Sequence, residues 1–424
     1  MFKRSVMLAA LATLLAPWTS AQSSFTNWSV YVSLGDSLTA GVVSSSLVRT
    51  HQERSYPSHL ARAGRSPSFE QPLVSEPGIP PELTLLSLLP SPVLAPKAAL
   101  PGVPVNLGVP RPYNNLGIGG ATTLDLLTRT SGGSHDLVLR GLGTALNQAL
   151  ALRPTAITLW IGNNDVLAAA VSGRAIDGVT LTSAALFRAA YQQIVTALKS
   201  TGASIAAANL PDVTSIPFVS ALSRFVTNPT TGQPVLVNGQ PVPLLGPNGA
   251  IGQGSYVLLS ASSLLAQGIG IPSAQGGRGL PLPDEVVLDA NEVALVRDRV
   301  SANNQAIREI CSASAVPVVD FNGFLREMAS TGRSIGGVPV SAAYLTGGLF
   351  SYDGVHPTDL GYALVANEWI RVLNANGGSL PEVDLAPFMG VGTRVNARAL
   401  APSPEFGREA SEALLAFFPN LDRR

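Results

Sequence analysis

Four short segments carry residue types that could together perform nucleophilic chemistry. Gly35-Asp36-Ser37-Leu38 follows directly on the apolar run Val30–Leu34. Ser37 therefore stands at the carboxyl end of an expected strand, where open α/β sheets bind their ligands. Asn115-Leu116-Gly117-Ile118-Gly119-Gly120-Ala121-Thr122 and Gly162-Asn163-Asn164-Asp165 come after two further runs of this kind. Asp353-Gly354-Val355-His356-Pro357 precedes the last helical pattern of the core. A serine hydroxyl is a poor nucleophile until a base takes its proton. The chain has four histidines, His51, His59, His135 and His356. Only His356 has a carboxylate, Asp353, at a spacing that one tight loop can bring onto the same imidazole. Such a carboxylate would fix the ring tautomer and stabilise the imidazolium that forms. The other three histidines read as ordinary polar residues. No His-x-x-x-His spacing occurs, so no metal site is expected. Asp36 and Asp165 read as structural residues bonding loop amides. Asp320 is a weaker second candidate for orienting a histidine.

One decoy competes. Gly332-Arg333-Ser334-Ile335-Gly336 matches the Gly-x-Ser-x-Gly elbow, and Asp353 and His356 follow in the order that α/β-hydrolases use. The elbow needs a strand before the serine and a helix after it. Arg326–Thr331 does not read as a buried strand, and Gly336-Gly337 would end a helix at once. The following Asp and His also lie too close for separate strands.

The four segments, in this order along residues 29–375, resemble the SGNH, or GDSL, hydrolase family, whose four letters match Ser37, Gly120, Asn164 and His356. The resemblance implies a three-layer, flavodoxin-like α/β fold with a mainly parallel central sheet. It implies a serine ester hydrolase, a lipase or carboxylesterase, working through an acyl-enzyme on Ser37 with Asp353 and His356 and needing no cofactor. It further implies an oxyanion hole made by the backbone N–H groups of Ser37 and Gly120 and the side-chain amide of Asn164. Spacing alone leaves Gly117 and Gly119 as alternatives to Gly120, and Asn163 as an alternative to Asn164. The family pattern, with Asp following directly, favours Asn164. The family also contains carbohydrate-ester deacetylases, and a dead hydrolase scaffold could serve as a secreted binding protein. A fold with its triad cannot choose among these.

The elements that must position these residues are legible as alternation. Short apolar runs at Val30–Leu34, Ala156–Ile161, Ser204–Ala208 and Val316–Val319 read as buried parallel strands, and Tyr113–Asn115 as the end of a fifth. Helical spacing recurs at 141–153, 183–201, 289–312 and 359–374. Strand–helix alternation implies an α/β layer fold. Two long stretches fall outside that core. Residues 64–112 contain twelve prolines among apolar residues such as Leu85, Leu86, Leu88, Leu89, Val93, Leu94 and Leu100. They are expected to line an acyl-chain groove. Residues 213–284 are rich in Gly, Pro and Ser.

The ends and the composition complete the expectation. Lys3 and Arg4, an apolar run from Val6 to Trp18, and Thr19-Ser20-Ala21 read as a signal peptide over 1–21. Cleavage near Ala21 would send the chain out of the cytoplasm, to the periplasm or the extracellular space. The hydrolase domain is then expected over 22–378, with insertions at 64–112 and 213–284. A tail over 379–424 is expected to carry a short helix starting at Ser403-Pro404-Glu405. The 27 basic and 27 acidic side chains balance, and only 13% of residues are charged. A neutral chain lacks the basic face that nucleic acid requires. With 46% hydrophobic residues it can build a core. No later segment is long and apolar enough to span a bilayer. The expected partners are small-molecule or lipid esters, met in transient contact with a lipid interface.

Overall fold

The computed structural model describes residues 24–87, 93–389 and 405–418. The expected signal segment, Leu88, Leu89 and the Ser403-Pro404 start of the tail helix lie outside them. Five strands form the central sheet: β1 (Tyr31–Gly35), β2 (Asn115–Gly117), β3 (Ala156–Trp160), β4 (Ser204–Ala208) and β5 (Val318–Val319). Their order is β5-β4-β3-β1-β2, and every pairing is parallel. This is the flavodoxin-like order, in which the chain reverses its direction of winding between β1 and β3. The carboxyl end of β1, where Asp36-Ser37 follows, opens at that switch point.

The strands are apolar along their length because both faces are covered, as parallel sheets require. β1 and β3 are buried at every position. Alternation separates two faces. Tyr31, Ser33, Thr158 and Trp160 share one, where the Tyr31 and Thr158 hydroxyls are 2.8 Å apart. Aromatic rings cover this face. Trp160 stacks on Phe321 at 4.1 Å, and Tyr56 stacks on Trp369 at 5.6 Å. Tyr56 and Trp369 come from helices Tyr56–Ala63 and Asp359–Ala375, which pack together. The other face carries Val32, Leu34, Ile157, Leu159 and Ile205, all fully buried. Helices Ala184–Lys199 and Ala290–Ala313 pack together in the layer on that side.

The described residues of both excursions contain regular structure. In the first, Leu83–Ser87 and Val93–Pro96 pair as antiparallel strands. A polar cluster ties this excursion to the core. His51 Nδ1 lies 2.7 Å from Asp359 Oδ1, and its Nε2 lies 3.0 Å from Glu82 Oε1. Lys97 donates to Glu76 at 2.6 Å and to Glu82 at 2.7 Å. Burial disfavours the charge on His51, but the two carboxylates outweigh it and lift the imidazole to about 9. A folded pKa above the unfolded one means that the stabilisation is complete below the unfolded value, about 6.5, and is lost as pH rises through about 9. Between those limits the wild type is expected to lose up to roughly 3 kcal/mol of unfolding free energy relative to His51→Gln. Urea melts across that window check this, and parallel curves for the two proteins would refute it.

The tail differs from expectation. Glu405–Phe406 pairs as a strand with Val93–Leu94, and the helix starts three residues later, over Arg408–Leu415. The N-cap is Gly407, without a side-chain cap. Edge pairing holds Glu405–Phe406 extended, so the helix begins only after them. Among the described residues no helix is long and apolar enough to cross a membrane.

Candidate active site

Ser37 begins a single helical turn, Ser37–Ala40, capped at its start by Asp36, whose Oδ1 accepts the N–H of Leu38 at 3.0 Å. A side chain at Gly35 would collide with Thr39 and with the carbonyl of Trp160, so only glycine lets the strand turn here so tightly. The Ser37 Oγ lies 2.9 Å from His356 Nε2. His356 Nδ1 lies 2.7 Å from Asp353 Oδ2. These three residues come from opposite ends of the chain and are all buried.

Asp353 is held by more than the imidazole. Its Oδ1 accepts the backbone N–H groups of Val355 and His356, each at 2.9 Å, and the Ser351 hydroxyl at 3.2 Å. Its Oδ2 accepts the Ser45 N–H at 2.6 Å and the Ser45 hydroxyl at 3.3 Å. Burial pushes this carboxyl up, but His356 and the backbone donors outweigh it and bring the carboxyl below its usual range. The surroundings of Asp353 thus favour its charged form, which faces His356 Nδ1. Ser44 and Ser45 are both left-handed, with φ of 51° and 57°. Such conformations cost about 1–3 kcal/mol each and persist where the surroundings fix them. Here the Ser44 N–H donates to Ser351 Oγ at 2.8 Å, as Ser45 does to Asp353. Sequence reasoning missed Ser44, Ser45 and Ser351. The run Ser44-Ser45-Ser46 just after the turn was the available signal.

The two other candidate donors follow the ends of the neighbouring strands β2 and β3. Gly120 has a φ of 78°, and a methyl group there would run into the carbonyl oxygen of Phe417. Asn164 donates from Nδ2 to the Ala121 carbonyl at 2.9 Å, which leaves its second amide hydrogen for another acceptor. Among the described residues neither the Ser37 N–H nor the Gly120 N–H donates a hydrogen bond. Asn163 is turned away, donating to Asp36 Oδ2 at 2.8 Å. This bond ties the ends of β1 and β3. Asp165 accepts the Thr123 N–H and hydroxyl, both at 2.9 Å, and so anchors the loop carrying Gly120. Burial lifts both Asp36 and Asp165 to about 6.

The competing candidates lie elsewhere. Ser334 is exposed in the middle of a strand of an antiparallel hairpin, Arg333–Ile335 with Val338–Val340, and not at a turn from a buried strand into a helix, as an elbow demands. Asp320 caps helix Phe321–Ser330 and accepts from Asn209 at 2.7 Å. The leucines expected to line a groove do not all do so. Leu94 is in the core, while Leu86 and Leu100 are 61% and 77% exposed. A cleft of about 620 Å³ does border this excursion, but Ile79, Pro80, Pro101, Pro104 and Leu107 line it.

Chemically, a hydroxyl bonded to an imidazole, itself bonded to a buried carboxylate, can attack an electrophilic carbon while its proton passes to the ring. Negative charge that such attack creates needs N–H donors aimed at it.

The family model described as GDSL-like lipase/acylhydrolase matches residues 31–369. No curated protein matches the sequence. Among solved structures, the lipase/acylhydrolase from Enterococcus faecalis is 14% identical, with a TM-score of 0.34, covering 84% of this chain and 98% of its own. Phospholipase A1 from Streptomyces albidoflavus NA297 is 14% identical, with a TM-score of 0.33 and coverages of 82% and 98%. The acetyl xylan esterase AlAXEase is 16% identical, with a TM-score of 0.34 and coverages of 81% and 98%. Likenesses this distant carry no argument about substrate. The family match does not depend on them: it spans most of the chain, from β1 into the final core helix, and the chain belongs to the GDSL-like lipase/acylhydrolase family.

Proposed function

We propose that the protein is an exported serine carboxylester hydrolase of the lipolytic kind, acting through an acyl-enzyme on Ser37. The observation that supports this most is the relay from Ser37 Oγ to His356 at 2.9 Å and from His356 to Asp353 at 2.7 Å. His356 takes the Ser37 proton as the oxygen attacks the ester carbonyl. Asp353 holds the ring in the tautomer with the proton on Nδ1 and stabilises the imidazolium. The oxyanion is received by the N–H groups of Ser37 and Gly120 and by the free amide hydrogen of Asn164. Collapse expels the alcohol, which takes its proton from His356. Water then repeats the attack on the acyl-enzyme with the same base. The carboxylic acid leaves and Ser37 is restored.

An apolar acyl group is favoured by a cavity of about 660 Å³ that reaches Gly120 and Asn164. Val171, Val179, Phe218, Leu264 and Leu414 contribute to its walls. Polar side chains, among them Arg129, Arg174, Thr182, Ser263 and Gln267, share these walls, so a chain-length series decides between an apolar acyl group and a sugar ester. The test pairs two readouts on the purified protein. A fluorophosphonate is expected to label Ser37, located by peptide mapping. Turnover of p-nitrophenyl esters is expected to improve from acetate to octanoate. Release of acetate from acetylated polysaccharide, with no turnover of acyl esters of any length, would refute the reading.

A further inference from the structure

The C-terminal segment lies against the proposed reaction centre. Its strand Glu405–Phe406 pairs with Val93–Leu94 of the first excursion. The Phe406 N–H donates to Ser262 Oγ of the second excursion at 2.7 Å. Phe406 is fully buried, edge-on to Phe218 at 5.9 Å. The helix Arg408–Leu415 then delivers Phe417, which is 4% exposed, onto the Gly119-Gly120 loop. Side chains at Gly119 and Gly120 would meet the Phe417 ring and its carbonyl oxygen respectively. The same ring lies 5.8 Å from the His356 ring, centroid to centroid. With the segment in place Ser37 is only 5% exposed and His356 1%.

Two spaces flank Phe417, one with mixed polar and apolar walls and one mainly apolar. On one side is the 660 Å³ cavity at Gly120 and Asn164, which Leu414, Leu415 and Phe418 help to close. On the other is the 620 Å³ cleft at Ile79, Pro101 and Leu107, which Ala416 and Phe417 themselves wall. Each space thus reaches the same three-residue stretch, Ala416–Phe418, beside the base and the oxyanion loop.

We infer that the two spaces are the halves of one substrate groove for esters with an extended chain on both sides of the carbonyl, and that Phe417 plugs its middle. The inference rests on the hydrolase reading above and adds the gate and the two-armed ligand class. Phe417 occupies volume beside Gly120 and His356 that an ester bound across both halves must cross. Substrate entry therefore requires the C-terminal helix to shift. Only the shifted fraction of molecules binds, so the apparent affinity falls by that fraction. The anchor at Phe406 and the plug at Phe417 are separate, so the tip can be emptied without deleting the segment.

The test uses the full chain with Phe417→Ala, and with Phe417→Leu as a milder second variant. With a closed state holding at least nine-tenths of molecules, Phe417→Ala is expected to speed fluorophosphonate labelling of Ser37 about tenfold or more. Phe417→Leu is expected to give a smaller gain in the same direction. The gain in kcat/KM is expected to be larger for hexyl hexanoate, which spans both halves, than for ethyl acetate. Labelling no faster than wild type in both variants, with unchanged melting temperatures, overturns the plug. A gain no larger for hexyl hexanoate overturns the two-armed groove. Absence of Ser37 labelling in every protein, with ester turnover intact, would instead strike the nucleophile assignment on which the inference rests.

Discussion

Ser37→Ala is expected to lower kcat on p-nitrophenyl butyrate by about 10⁵- to 10⁶-fold while leaving the fold intact. The side chain loses one hydroxyl, whose recorded partner is His356 Nε2 at 2.9 Å. The backbone N–H of residue 37 is retained, and so is the turn that Asp36 caps. The melting temperature should therefore move by no more than a few degrees. What is lost is the covalent route. The proposed oxyanion donors remain and can still assist water, so catalysis is expected to fall to a residual level rather than to zero. His356→Ala should be nearly as damaging, and the double variant little worse than either single one, because residues that act as a unit are not additive. A loss of less than about a hundredfold in a folded Ser37→Ala protein would place the nucleophile elsewhere.

Much of this site was legible because its parts are local. Asp353 and His356 lie three apart on one loop, so their pairing follows from spacing. Ser37 follows β1 directly, so its place at the sheet's carboxyl edge follows from the alternation of elements. The strand Ser204–Ala208 was also readable to the residue, as an apolar run bounded by turn residues. What spacing could not supply was contact between distant segments. Ser45 meets Asp353 across 308 positions, and nothing local in Ser44-Ser45-Ser46 announces two left-handed residues. The tail was harder still. Glu405 reads as the start of a helix because serine and proline precede it. It is extended because Val93–Leu94 offers an open strand edge. Local preference was overridden by a partner more than 300 residues earlier. The leucines of the first excursion failed for a related reason: apolar residues announce burial, but not which surface will bury them. Leu94 went to the core, and prolines were left to form the cleft.

Asp353→Asn is expected to cost about 10³- to 10⁴-fold in kcat with a much smaller change in KM. The carboxylate accepts three hydrogen bonds on each oxygen. An asparagine can keep one set of three by pointing its carbonyl at it, but its NH₂ then faces donors. If the carbonyl stays on the backbone N–H groups of Val355 and His356, the amide confronts His356 Nδ1. The ring is then driven to the tautomer with its proton on Nε2, and it can no longer take the proton of Ser37. If the amide flips to satisfy Nδ1–H, two backbone donors lose their acceptor. The first arrangement damages rate and the second damages stability, so kcat and unfolding free energy should be read together. Linkage separates the two further. The folded pKa of Asp353 is depressed, so its contribution to stability is present above the unfolded value, about 3.9, and disappears as pH falls through the folded one. Any stability deficit of Asp353→Asn should therefore be largest near neutrality and shrink in acid. A variant with wild-type kcat at pH 7 would remove Asp353 from the relay. A tautomer fault, by contrast, leaves Ser37 folded in place and slow, with fluorophosphonate labelling reduced in step with kcat.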